Sequence, residues 1–587
     1  MCGILFSAHF AGNANATPTG NTAWESLVGY NAKRGPDSQN SVHVSLSKDG
    51  VEHVDGDGQS SPRLSLGFFA SELQLRGSST VVQPHTLDGD ILCWNGEIFD
   101  GMEISADEND GARLFQSLCS LDDPTRITEV FGGIEGPYAF VYYHKSTGRL
   151  FYARDPLGRR SLLIHKPTAQ NPVLYIASVS AGGNLGDGFE EVLTESVHTI
   201  DLREWANGEN LDVHLSSLPR CEIARFPFAQ LSRVNATLPP EDYERVESLD
   251  QIPSSMVKVV DDLITELDRS VMLRVRDIPL TSLQPGQARV AVLFSGGIDS
   301  TVITYLAHRH LPCSEPIDLL NVAFENPRKM RLETEGNVNA LPKQKKKERL
   351  KKGPTSEVKQ PTYMVPDRVS GLQELEELRR LCPDRTWNFV EVNVPYEESQ
   401  ALRQEVSTLM LPGRTVMDMS LALALYFASR GIGQVRDSPD GHASPYHSRA
   451  RVILNGLGSD ELFGGYGRHR TAYTAGGWEA VIKELQLEVD RLPSRNLGRD
   501  DRIIAAHGKE TRHPFLSLSV LNYATSLSVH LKMDPRLELG MGDKLLLRLA
   551  VRKLGLVEAS CRKKRAMQFG SHSARMEGEK RGDLLLE

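Results

Sequence analysis

The chain has 587 residues, 40% apolar and 24% charged, with a formal net charge of −9. That length carries more than one domain with ample core. The acidic balance gives no reason to expect nucleic acid as a partner, and no apolar run approaches the ~20 residues that span a bilayer. The seven cysteines are scattered and odd in number, with no paired metal-type spacing, which suits free thiols in a reducing compartment. With no basic, signal-like start, a cytoplasmic protein is expected.

The chain begins Met-Cys-Gly-Ile-Leu-Phe, a strand pattern starting at the terminus. Removal of Met1 exposes Cys2, whose α-amino group, with a pKa of about 7.7–8.0 in model compounds, serves as its general base. This is the N-terminal-nucleophile arrangement. Two further stretches bear on the same chemistry: Lys33-Arg34-Gly35-Pro36-Asp37, and Trp94-Asn95-Gly96-Glu97-Ile98-Phe99 followed by Asn109-Asp110-Gly111. An Asn amide and a Gly backbone N–H suit a developing oxyanion, and Glu97 and Asp110 suit an ammonium. Residues 136–143 and 150–158 alternate like core strands. From about residue 215 to 250 the chain is Pro-rich and irregular, as a linker is. Met256, Val260, Leu263, Leu267 and Val271 then form a helical stripe.

The strongest signal is Arg289-Val-Ala-Val-Leu-Phe-Ser-Gly-Gly-Ile-Asp-Ser300. Val290 to Phe294 has the length of a buried parallel strand. Gly296 and Gly297 allow a tight turn and close approach of a ligand, and a helical pattern starts at Asp299. Unpaired N–H groups at such a junction bind anions. Asp299 would repel phosphate unless it holds a bridging divalent cation. The kinase-type ending Gly-Lys-Ser or Gly-Lys-Thr is absent.

A second strand, Ile317 to Phe324, precedes an insertion at 326–362 that contains a Lys-rich run at 343–352 and is expected to be disordered. A helix through Leu372, Leu375 and Leu378, a strand at 387–394, an apolar helix at 417–429 and a strand at 451–455 complete the alternation of a doubly wound parallel sheet. The last strand runs into Gly456-Leu-Gly-Ser-Asp-Glu-Leu-Phe-Gly-Gly-Tyr466. Both strand–glycine–helix junctions then point at one crevice, where Asp460 and Glu461 are candidate Mg²⁺ ligands.

The N-terminal motifs resemble the glutaminase domain of class II glutamine amidotransferases. Residues 295–300, 458–466 and 501–516 resemble asparagine synthetase. Residues 365–368, 387–391 and 564–570 are similar to asparagine synthetase domain-containing proteins. The resemblance implies an α-β-β-α sandwich of the N-terminal nucleophile hydrolase type at 2–215, a linker at 216–253, and an ATP-pyrophosphatase α/β domain at 254–587. It implies catalysis by Cys2, Asn95, Gly96 and Lys564, and glutamine binding by Arg34, Asn95, Glu97 and Asp110. ATP and pyrophosphate would be held by Phe294, Ser295, Gly296, Gly297, Asp299, Ser300, Asn455 and Gly456, and Mg²⁺ by Asp299 and Asp460. The implied substrates are glutamine, ATP and aspartate, and the family pattern admits a homodimer. Glutamine-derived ammonia would attack an acyl-adenylate, giving an amide, AMP and pyrophosphate.

Two residues depart from the family pattern. Glu72 stands where an Arg clamps the glutamine carboxylate, with Arg76 about 13 Å further along an ideal strand. Leu457 stands where a glutamate accepts a proton from attacking ammonia. Two classes of function follow: an amide synthetase, or a descendant that binds nucleotide and works as a regulatory or interaction protein.

Overall fold

The computed structural model describes residues 2–10, 22–47, 52–53, 63–183, 188–207, 210–279, 284, 286–325, 363–438, 441–577 and 582–586. The basic insertion expected at 326–362 lies outside the described residues.

The N-terminal half is built on two antiparallel sheets. In the first, Gly3–Phe10 lies between Leu174–Ala177 and Leu64–Glu72. In the second, Asp90–Gly96 pairs with Tyr138–His144, which pairs with Arg149–Arg154. The inner faces meet in a core of Ile4, Phe6, Phe68, Cys93, Val141 and Ile176. Helix Thr22–Ala32 covers the outer face of the first sheet through Trp24 and Leu27. Helix Asp110–Cys119 covers the second through Leu114, Phe115 and Leu118. The layers therefore run helix, sheet, sheet, helix, the sandwich expected from the N-terminal motifs.

The C-terminal half has one sheet whose parallel strands lie in the order Trp387–Val394, Ile317–Phe324, Val290–Leu293, Val452–Leu454, Glu510–Arg512. An antiparallel hairpin, Ile432–Arg436 and Ala443–His447, extends one edge. Alternate residues of the central strand face opposite cores: Val290 and Val292 one, Ala291 and Leu293 the other. Helices cover both faces, so the sheet is doubly wound. Its order reverses between Val290–Leu293 and Val452–Leu454. Ligands of open α/β sheets bind in the crevice beyond the C-terminal ends of strands at such a reversal.

The boundary between the halves differs from the expectation. Leu215–Pro219 is an edge strand paired with Ser196–Asp201, so the first domain runs past residue 215. The segment after it is no free linker. Arg220 donates to the carbonyl of Thr194 and to the Tyr138 hydroxyl, and Asn235 N–H donates to the Thr525 carbonyl. Proline-rich composition marks irregular backbone, and here that backbone is strapped across both domains. Among the described residues, no helix is long and apolar enough to cross a membrane.

Candidate functional site

Two centres lie on either side of the domain interface. The first is at Cys2. Gly3 must be glycine, because a Cβ there would lie 2.1 Å from the carbonyl oxygen of Asn31. That close packing pins the start of the strand and holds Cys2 against the second sheet. The Cys2 backbone N–H donates to Asn95 Oδ1 at 3.0 Å, and Gln83 Nε2 lies 3.5 Å from the Cys2 Sγ. Asn95 Nδ2 is buried and has no hydrogen-bond partner among the described residues, which suits an oxyanion donor. Burial pushes the Cys2 thiol up to about 12, opposed by the N-terminal charge and reinforced by Glu72. The thiol therefore needs a base to ionise.

Gly96 follows at the end of its strand; a side chain there would strike the Trp94 ring at 2.4 Å. Glu97 is buried, with Arg76 Nε at 3.0 Å and Arg512 Nη2 at 3.3 Å. Asp110 accepts the Ile98 and Gly111 N–H groups at 2.9 and 2.8 Å. Arg34, expected to contact glutamine, is tied to the backbone of Cys2 and to the second domain. Its Nε donates to the Cys2 carbonyl at 3.2 Å, and its Nη2 pairs with Asp501 at 2.6 Å, both side chains being buried.

Arg76 is not where an ideal strand would put it. The strand ends at Glu72, and the chain then bends so that Arg76 reaches Glu97, the Ile98 carbonyl and Asp277. Glu72 itself is 2% exposed, and its Oε2 has no hydrogen-bond partner among the described residues. Burial raises its carboxyl to about 7, opposed by the N-terminal charge and by a hydrogen bond from the Val81 backbone.

The second centre is the crevice at the strand-order reversal. Val290–Leu293 ends, and helix Ile298–His310 starts after Gly297. Gly296 has φ +72°, and a Cβ there would lie 2.4 Å from the Gly371 nitrogen, so glycine is required. Ser295 Oγ accepts from Gly297 N–H at 3.3 Å, and Ser300 Oγ donates to the Gly297 carbonyl at 3.1 Å. Phe294 is buried with its ring edge-on to Phe389, so its side chain belongs to the core and only its backbone borders the loop.

Gly456 brings the second junction in. A Cβ there would lie 2.6 Å from that of Asp299. Asn455 accepts from Leu457 N–H at 2.9 Å and from His513 Nδ1 at 2.8 Å, and donates to Thr511. Asp299 and Asp460 each lie 2.7 Å from Lys544 Nζ, and Lys564 contacts the other oxygen of Asp460. Burial disfavours a charged Asp460, yet Lys544 and Lys564 hold its carboxyl well below the ordinary range. A cavity of about 350 Å³ opens here, lined by the loop, by Asp299, Leu457, Asp460 and Lys544, and by Lys563 and Lys564.

Lys544 escaped sequence reading. It sits at φ +53°, just before helix Leu545–Lys553, and is 1% exposed. A lysine ahead of an apolar helix carries no periodic signature; the Gly540-Met-Gly-Asp run before it was the available hint of an unusual helix start.

The centres are mechanically joined. Arg160 pairs with Glu510 at 2.6 Å and with Asp501 at 3.5 Å, all three fully buried. Arg159 donates to the Leu516 carbonyl at 2.8 Å. Glu97 in the first centre meets Arg512, and the next residue, His513, meets Asn455 in the second.

An asparagine synthase family model matches residues 284–337 and 472–584, and a glutamine amidotransferase domain model matches residues 71–181. The asparagine synthetase domain-containing protein 1 of Homo sapiens is 36% identical over 98% of this chain and 96% of its own. That of Gallus gallus is 35% identical over 93% of both chains. The chain belongs to the asparagine synthetase domain-containing family. An asparagine synthetase domain-containing protein of Saccharomyces cerevisiae, 31% identical, aligns over 100% of this chain and 99% of its own. Asparagine synthases are ATP-dependent, and the matched regions contain the loop at Ser295–Ser300, Lys544 and Lys564.

Proposed function

We propose that the protein is an ATP-dependent amide ligase of the asparagine synthetase type, supplied with ammonia by hydrolysis of a glutamine-type carboxamide at Cys2. The observation that carries this reading is the convergence of Asp299 and Asp460 on Lys544 at the strand-order reversal, with Gly456 packed against Asp299. That geometry suits a nucleotide whose pyrophosphate lies on the N–H groups after Ser295. Lys544 and Lys564 are then placed to offset negative charge on the departing pyrophosphate.

The pair Asp299 and Asp460 also fits Mg²⁺, which is commonly held by one or two carboxylates together with substrate phosphates. Both carboxylates already approach one ammonium to 2.7 Å. When bound, Mg²⁺ would neutralise phosphate charge there.

In the amide-forming reaction a carboxylate oxygen attacks the α-phosphorus and pyrophosphate leaves. Ammonia then attacks the acyl carbon and AMP leaves. Leu457 borders the cavity and offers no base for the proton lost by nitrogen. Aspartate is the acceptor the family reading suggests. A cytoplasmic setting is part of the proposal, supported by seven free cysteines, two of them exposed.

The test incubates purified protein with ATP, Mg²⁺, ammonia and a panel of carboxylic acids, scoring AMP and pyrophosphate. Acid-dependent AMP formation that Asp299→Ala abolishes supports the reading. No AMP with any acid, alongside a rise in melting temperature with ATP, would leave a nucleotide-binding protein and overturn the ligase. In parallel, Cys2→Ala is expected to abolish ammonia release from amide donors and to spare ammonia-dependent AMP formation.

A further inference from the structure

The carboxyl of Glu72 gives the surroundings of Cys2 the wrong charge for a free amino acid. Across the antiparallel pair, Gly3 faces Ser71 and Ile4 faces Ala70. The next step of that register sets Cys2 opposite Glu72. Residues facing each other on one side of a sheet hold their Cβ atoms about 4.5–5.5 Å apart, so the Glu72 carboxyl neighbours the nucleophile. It is buried, with Oε2 lacking a hydrogen-bond partner among the described residues.

The arginines around Cys2 are already paired. Arg34 is bound to Asp501 and to the Cys2 carbonyl. Arg76 is bound to Glu97 and Asp277. Arg512 is bound to Glu510 and Glu97. An α-carboxylate entering beside Cys2 would meet the Glu72 carboxyl, which already faces the N-terminal charge, and would have to break a buried ion pair to reach a guanidinium. A donor with no carboxylate avoids both costs and offers Glu72 a hydrogen-bond donor or an ammonium.

We infer that the amide donor of the Cys2 site is a glutamine-type carboxamide whose α-carboxylate is masked as an ester or amide, with Glu72 the residue that sets this preference. The inference rests on the reading of Cys2 as a nucleophile. Its chemistry balances: Sγ adds to the side-chain amide carbon, the C–N bond breaks, and nitrogen leaves as ammonia with the thiol proton. Water then splits the thioester, returning the thiol and releasing the side-chain acid.

Ammonia release is measured with L-glutamine and with its α-methyl ester, in mildly alkaline buffer where Glu72 is ionised, using the full-length protein. The ester is expected to exceed the free acid in kcat/KM by roughly a hundredfold, the scale of a like-charge contact in a buried site. Glu72→Gln should shrink that ratio to within about tenfold, and Glu72→Arg should invert it. Equal use of the two donors, or a ratio that Glu72→Gln leaves unchanged, overturns the inference.

A second measurement separates this from failure of the nucleophile reading. In Cys2→Ala no turnover is needed, and binding of each compound is read by calorimetry. Tighter binding of the ester, lost in the Cys2→Ala/Glu72→Gln double variant, sustains the inference even if no donor is hydrolysed. Preference for free glutamine, or binding of neither compound, rejects it.

Discussion

Asp501 ties the two centres together, and its removal should be costly. Its carboxylate pairs with Arg34 at 2.6 Å and Arg160 at 3.5 Å, and accepts the Ser161 N–H at 3.1 Å. The two arginines belong to the first domain, the aspartate to the second, and all three side chains are buried. Asp501→Asn keeps the shape and an acceptor for Ser161 but leaves two guanidinium charges less compensated. Arg160 retains Glu510, so most of the effect should fall on Arg34. Breaking a buried pair from one side costs about 3–5 kcal/mol. At about 2–4 °C per kcal/mol for domains of this size, the first thermal transition should fall by about 10 °C. The control is Lys166→Ala, which removes a pair with Asp212 whose side chains are 54% and 70% exposed and is worth at most about 1 kcal/mol. Because Arg34 also holds the Cys2 carbonyl, amide hydrolysis should fall along with stability. A melting shift for Asp501→Asn no larger than that for Lys166→Ala would refute the view that this buried pair joins the domains.

Three further outcomes follow from the same geometry. The raised pKa of Glu72, about 7 against an ordinary 4.5, means that the native state binds more protons than the unfolded chain between those values. Stability then falls as pH rises through that window, by up to about 3 kcal/mol; Glu72→Gln should match wild type below it and be more stable above it, and a pH-independent difference in urea titrations would contradict the buried carboxyl. Lys544→Ala should lower acid-dependent AMP formation by roughly 10²–10³-fold and more than Lys564→Ala does, since Lys544 touches both Asp299 and Asp460; equal losses in a pyrophosphate-release assay would count against that ranking. Leu457→Glu should raise asparagine formation from aspartate and ammonia by roughly 10²–10⁴-fold, provided wild type is slow with aspartate; wild-type synthesis at a rate comparable to an authentic synthetase would remove the premise.

Local pattern made the scaffold legible. Val290 to Phe294 is a continuous apolar run bounded by Ser-Gly-Gly, so strand, turn and helix start follow without tertiary information, and the repeat at Val452 to Gly456 gives the crevice. Gly296, with φ +72° and Gly371 packed against it, is the residue type that this turn demands. The alternation of residues 138–143 and 150–154 likewise marked the second sheet.

What escaped depends on where a chain goes after its pattern stops. Arg76 reaches Glu97 because the strand ends at Glu72, and a strand's end is set by its partners: Glu72 is the last residue of its strand, paired with Ser38 and bridged to Pro36. Counting at 3.3 Å per residue assumes that the strand continues. The ion pair of Arg34 is hidden for a related reason. Its motif is local, but its counter-ion, Asp501, is 467 residues away. A buried arginine goes to the carboxylate that offsets its desolvation, and sequence spacing says nothing about which one that is. Lys544 combines both difficulties, being 245 residues from Asp299 and set in a left-handed backbone conformation outside any periodic element. Motif reading thus singled out Asp299 and Asp460, while Lys544, which pairs with both, follows from the closure of the sheet's two halves around the crevice.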